Sequence, residues 1–288
     1  MESVALLGTG TMGAGMAGRL RDAGYPLTVW NRNAERAAPL VERGARLAHS
    51  PRDAAQDADV VIAMVADDAA SRAVWLGDAG ALASAKRGSV MIDSSTISPT
   101  WVAELAAFSK ARGCDFLDAP VTGSRPQAVE GQLTFLVGGE ERVLDRVREV
   151  LRAMSRAIVH VGATGCGALL KLVNNFVCGA QVAALAEAIA LMERSGLRID
   201  RALPVLLEGA PGSPLVRVVA QRMVARDPTV NFSVALMKKD LDYAMAVGDR
   251  GLGMPLTTAA TARQAFQRAV DHGLASEDIW AIVEPLRR

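Results

Sequence analysis

The chain has 288 residues, half of them hydrophobic, which is enough for two domains that each bury a core of their own. Its 32 basic residues nearly balance 31 acidic ones, a net charge of +1 with no Lys/Arg run, so nucleic acid is not an expected partner. Three cysteines, Cys114, Cys166 and Cys178, show no CxxC or Cys/His spacing; they exclude a disulfide framework and a zinc site, read as buried free thiols, and leave no metal expected.

The N-terminus, MESVALLGTGTMGAGMAG, is apolar but lacks the basic n-region of a signal peptide, and its glycines interrupt the hydrophobic run. No segment offers about 18 uninterrupted apolar residues, so a soluble, cytoplasmic protein without a membrane partner is expected. Short runs rich in Val and Ile follow at 3–8, 26–30, 59–65, 89–93, 114–120, 133–139 and 157–162, separated by helical patterns. Strands that are apolar throughout and alternate with helices predict a doubly wound, mostly parallel α/β sheet, a Rossmann-type domain over 1–163.

Gly8, Gly10 and Gly13 form GxGxxG between the first strand and the first helix, where backbone amides can hold a pyrophosphate. The loop Gly8, Thr9, Gly10, Thr11, Met12, Gly13 is therefore the candidate cofactor cradle. The second strand ends at Trp30, and the place where NAD enzymes carry an acid for the ribose hydroxyls holds Asn31, then Arg32 and Asn33. A permanently charged guanidinium suits a 2'-phosphate, so Arg32, helped by Arg36, favours NADP(H) over NAD(H). Two further strand ends should face the same crevice: Val65 with Ala66, and Ser94, Ser95 and Thr96. Ser98 before Pro99 reads as a helix cap, which leaves Thr96 for the ligand.

Near Gly167 a proline-free helical stretch of about 28 residues begins, and no strand signal follows it. An all-α domain over 164–288 is predicted, with loops at 209–214 and 250–255. Lys171 lies in the long helix among Leu169, Leu170, Leu172 and Val173, a setting read as apolar, with Asn174 and Asn175 three and four residues on along its side of the helix. A lysine with its pKa lowered by burial can transfer protons.

The segments GTGTMGAGMAGRL, VTGSRPQAVEGQLTFLVGG, GALLKLVNN and KKDLDYAMA resemble, in order and spacing, four motifs of the β-hydroxyacid dehydrogenase family. That family includes 3-hydroxyisobutyrate dehydrogenases, tartronate semialdehyde reductases and glyoxylate and succinic semialdehyde reductases. The resemblance implies a hydride transfer between a nicotinamide cofactor and a small carboxylate-bearing semialdehyde or keto acid. It implies that Lys171 is the general acid in reduction and the base in oxidation, and that Asn175 orients it. Thr122 and Gly123, with Ser124, would bind the substrate carboxylate, Phe232 and Asp240 would lie near the substrate, and Thr96 and Lys239 would touch the cofactor. A homodimer or homotetramer is implied as well.

One departure stands out: most relatives read Ser-Gly-Gly where this chain reads Thr122, Gly123, Ser124, followed by Arg125. Two other readings remain open from the sequence, an imine reductase and a catalytically silent NADP-binding module. Each would be expected to lack the lysine or its asparagine.

Overall fold

A computed structural model describes residues 1–287; Arg288, which ends the predicted helical domain, and the side chain of Arg250 lie outside the described residues. The chain forms two compact units, Met1–Lys171 and Leu172–Arg288. The first is built on strands β1 (Val4–Leu7), β2 (Leu27–Trp30), β3 (Arg46–Leu47), β4 (Val60–Ala63), β5 (Val90–Asp93), β6 (Asp115–Asp118), β7 (Val121–Thr122), β8 (Leu133–Gly138) and β9 (Ser155–Gly162). They lie in the order β3-β2-β1-β4-β5-β6-β8-β7, with β9 alongside β8. All pairings from β3 to β6 are parallel; β8 runs antiparallel to β6 and β7 and parallel to β9.

All seven predicted strands are present, and β3 and β7, two residues each, are additional. The central strands are buried along their length, as in β4, where Val60, Val61, Ile62 and Ala63 are all enclosed. That is the expected signature of a sheet covered by helices on both faces. The strand order reverses between β1 and β4, and in open sheets of this kind ligands bind at the carboxyl ends of the strands at such a point.

The long helix, Cys166–Arg194, starts in the first unit and continues in the second. By length and composition alone it could cross a membrane, but half of its most apolar window is buried inside the protein. Its inward side, including Val182, Leu185, Ala186 and Ile189, joins Met237, Leu241, Phe266 and Trp280 in the second unit's core. Two other helices of that unit begin where the sequence supplies caps. Ser213 with Pro214 opens Pro214–Ala225, and Ser233 opens Val234–Ala246. The loop expected at 250–255 differs from the prediction, because a π-helical turn, Val247–Leu252, continues the preceding helix through its first residues. Of the cysteines, Cys114 is buried as expected, Cys166 and Cys178 are only half-buried, and none of the three is joined in a disulfide among the described residues.

Candidate active site

The glycine loop is shaped by its neighbours. Gly8 has φ +102° and Gly13 packs against it, so a Cβ on either would collide with backbone carbonyl oxygen. Gly10 differs: a Cβ there would meet nothing within 4 Å. The following helix, Gly13–Asp22, has no side-chain cap and no acid in its first turn. Free amides with open space before them suit a phosphate. Thr11 is exposed and Met12 half-buried, whereas the Thr9 hydroxyl is buried without a hydrogen-bond partner. These features fit the pyrophosphate of a dinucleotide.

Asn31 braces this loop. Its Oδ1 accepts from the Thr9 amide at 2.9 Å and its Nδ2 donates to the Asn33 carbonyl at 2.8 Å. Arg32 and Arg36 are exposed, and neither guanidinium has a partner among the described residues.

At the neighbouring strand ends Val65 and Thr96 are half-buried and Ala66 is exposed. The Val65 amide donates to Ser95 Oγ at 2.9 Å, and the Ser95 amide donates to Asp93 Oδ1 at 2.9 Å. Asp93 is fully buried; its Oδ2 accepts from Ser71 Oγ at 2.6 Å and Trp75 Nε1 at 2.8 Å, and Trp101 Nε1 donates to Ser71 Oγ at 2.8 Å. Burial raises its carboxyl above the usual range against the pull of these donors. Ser98 is the helix cap that the sequence predicts, accepting from the Trp101 amide at 3.2 Å.

Thr122 is half-buried on β7, and Gly123 follows with φ +116°. Ser124 is engaged locally: its amide and hydroxyl both donate to Gln127 Oε1, each at 2.9 Å, at the start of the helix Arg125–Glu130. Its hydroxyl is thereby occupied in holding the turn. The helices that follow the glycine loop and the Thr122 turn pack closely, since a Cβ on Gly15 would stand 2.9 Å from the Ala128 backbone.

Asp118, absent from the residues read from the sequence, ends β6 and is fully buried. Its Oδ1 accepts from the Gly165 amide and its Oδ2 from the Ala168 amide, each at 2.8 Å. Burial pushes its carboxyl up to about 6, although these amides pull the other way. Lys171 follows one turn later and is half-buried. Its setting is less apolar than the sequence suggests, because Leu169, Leu170 and Val173 are 38, 37 and 48 % exposed and only Leu172 is enclosed.

The second unit holds a polar chain. Asn174 Nδ2 donates to Asn175 Oδ1 at 2.9 Å, and Asn175 Nδ2 donates to Asp240 Oδ2 at 2.6 Å. Lys239 Nζ pairs with Asp240 Oδ1 at 3.0 Å and lies 4.9 Å from the Tyr243 ring centroid. Asp240, 1 % exposed, is thus occupied by Asn175 and Lys239. Phe232 is half-buried, and its amide donates to the buried Asp278 at 2.9 Å.

Residues 3–162 match the family described as the NAD binding domain of 6-phosphogluconate dehydrogenase, and residues 165–286 match the NAD-binding domain of NADP-dependent 3-hydroxyisobutyrate dehydrogenase. The chain is 32% identical to glyoxylate/succinic semialdehyde reductase 2 of Arabidopsis thaliana over 99% of its own length and 79% of that protein. It is 36% identical to an NAD-dependent L-serine dehydrogenase of Pseudomonas aeruginosa, over 85% of this chain and 84% of that one. Its structure is similar to that of Mycobacterium tuberculosis 3-hydroxyisobutyrate dehydrogenase with L-serine, with a TM-score of 0.88, 33% identity and complete coverage of both chains. An imine reductase from Myxococcus stipitatus, at 20% identity, a TM-score of 0.66 and complete coverage of both chains, shares the fold alone.

Proposed function

The chain belongs to the β-hydroxyacid dehydrogenase family, and from that membership we propose an oxidoreductase that prefers NADP(H) and interconverts a small semialdehyde or keto acid with its hydroxy acid. When bound, the cofactor supplies or accepts the hydride at the carbonyl carbon. Lys171 protonates the oxygen of that carbonyl during reduction and removes the hydroxyl proton during oxidation. The Thr122 hydroxyl and the adjoining amides hold the substrate carboxylate, which fixes the carbonyl for transfer. Asn175, on the same helix one turn beyond Lys171, orients the ammonium, and Asp240 holds Asn175 in place. Arg32 and Arg36, exposed beside Asn31, are free to take a 2'-phosphate.

The observation that carries this reading is Lys171 itself, half-buried, one turn past an amide-anchored helix start and one turn before an asparagine held by a buried carboxylate. Lys171→Ala should fold and bind NADPH as wild type does, while turnover falls by roughly two to four powers of ten, the scale of a positioned general acid. Glyoxylate, succinic semialdehyde, tartronate semialdehyde and 3-hydroxyisobutyrate, each assayed with both cofactors, form the substrate panel. Retention of more than half the turnover on the best of them rules out the lysine as the proton donor.

A further inference from the structure

The helix that carries Lys171 starts without a local cap. Gly165 precedes its first residue and has no side chain to offer, yet the first amides of a helix must find acceptors. The Cys166 amide donates locally to the Ala163 carbonyl at 3.0 Å, but those of Gly165 and Ala168 find Asp118, 47 and 50 residues away. Two glycines leave room for this carboxylate. A Cβ on Gly138 would stand 2.6 Å from Asp118 Oδ1, and one on Gly167 would stand 2.9 Å from Oδ2 and 2.7 Å from the Asp118 carbonyl oxygen. The contact is therefore close and has no space for an intervening water.

From this arrangement we propose that Asp118 is a positioning residue that sets where Lys171 stands, by clamping the helix start one turn before it; the inference rests on the proton-transfer reading of Lys171. A helix rises about 1.5 Å per residue, so the lysine lies only about 4.5 Å along the axis from the clamped Ala168 amide, and a shift at one is carried to the other. Asp118 also ends the strand that leads through Pro120 into Thr122, and both segments are paired to β8, at Gly138 and Thr134 respectively. The carboxylate thus holds the helix that carries the proton donor, while the backbone pairing of its strand, which a side-chain change leaves in place, holds the segment leading to Thr122. Displacements of about 1 Å from productive geometry are known to cost a hundredfold in rate.

The test compares Asp118→Asn with wild type. The amide keeps the size but must turn its NH2 group toward one of the two backbone N–H groups. Turnover per folded site should fall ten- to a hundredfold, with KM and the NADPH Kd each within threefold of wild type, and the solvent isotope effect on kcat should grow as proton transfer becomes slower. A purely structural role would lower Tm and leave kcat of the folded fraction unchanged. Gly165→Ala is the second variant: its Cβ meets nothing within 4 Å, but the residue has φ +94°, so it displaces one donor and keeps the carboxylate. It should show the same pattern more weakly, and it decides the matter if Asp118→Asn does not fold. Unchanged kcat in the folded variants, or a parallel loss of NADPH affinity, overturns the inference. Retained turnover in Lys171→Ala removes the lysine reading and this inference together, whereas an inactive Lys171→Ala beside unaltered Asp118→Asn and Gly165→Ala removes only the inference.

Discussion

Asp93 and Asp118 stand in register on neighbouring parallel strands, two buried carboxylates side by side at the carboxyl end of the sheet. Each serves a different segment: Asp93 holds the turn that leads to Thr96, and Asp118 holds the start of the lysine helix. Burial raises both above the ordinary carboxylate range.

Their linkage to stability has a definite sign. A carboxylate whose folded pKa is raised binds a proton more readily in the native state, so its contribution is greatest below the unfolded value, near 3.9, and is lost as pH rises through the folded one. For Asp118 that window runs up to about 6. Across it the wild type should lose up to about 3 kcal/mol relative to Asp118→Asn, at about 1.36 kcal/mol per pH unit, with no further change above pH 7. Urea titrations at several pH values measure the difference; a wild type that gains relative to the variant on going from pH 4.5 to 6.5 contradicts it.

Asp240→Ala removes the acceptor of Asn175 and the counter-charge of Lys239 together. The lysine side chain is 17% exposed and can still reach water, so the cost should sit near the lower end of the range for a broken buried pair, about 3 kcal/mol. Activity of the folded fraction should fall at least tenfold, since Asn175 loses its fixed orientation. Denaturation and steady-state assays of the same preparation separate the two effects, and full activity in the folded fraction would show that Asn175 does not depend on Asp240.

Arg32→Ala should lower kcat/KM for NADPH roughly ten- to a hundredfold, as expected for a contact worth about 1.5 to 3 kcal/mol, and leave NADH nearly unaffected. Arg32→Asp should invert the preference, because a carboxylate repels the phosphate and accepts from free ribose hydroxyls. The comparison belongs at moderate salt, where surface screening does not hide the contact. Equal losses with both cofactors, or a wild type that prefers NADH, would count against the assignment.

Gly13→Ala and Gly10→Ala should separate folding from binding. A Cβ at Gly13 collides with the Gly8 carbonyl and should lower Tm in the absence of any cofactor, whereas one at Gly10 has open space within the protein and should leave Tm unchanged. Gly10→Ala should instead weaken the dinucleotide by about tenfold or more, since that space is where the pyrophosphate would approach. A Gly10→Ala protein with wild-type NADPH affinity would place the phosphates elsewhere.

The sheet was legible because its central strands are buried on both faces and so read as unbroken Val/Ile runs, and the long helix because no proline or glycine cap interrupts it until Gly196. Strands β3 and β7 were not, since two residues carry no period. The setting of Lys171 was misread because residues one and two positions away on a helix point in different directions; Leu169, Leu170 and Val173 flank it in sequence without enclosing it. Asp118 was hidden for another reason. Its partners are backbone amides some fifty residues away, and amides carry no sequence signature. The Asp-Ala-Pro at a strand end and the Gly-x-Gly at 165–167 were the available signals.

The Asp93 network also has an optical consequence. The chain has four tryptophans, and two of them, Trp75 and Trp101, are wholly enclosed with their indole N–H groups bonded to Asp93 and to its partner Ser71. The guanidinium of Arg72 lies 3.9 Å from the centre of the Trp101 ring. The surroundings of these buried indoles therefore include a carboxylate and, at Trp101, a partly exposed guanidinium, and the same carboxylate holds the Ser95 amide next to Thr96. Movement of that turn should change the field at both indoles, so tryptophan emission is expected to report events at the end of β5.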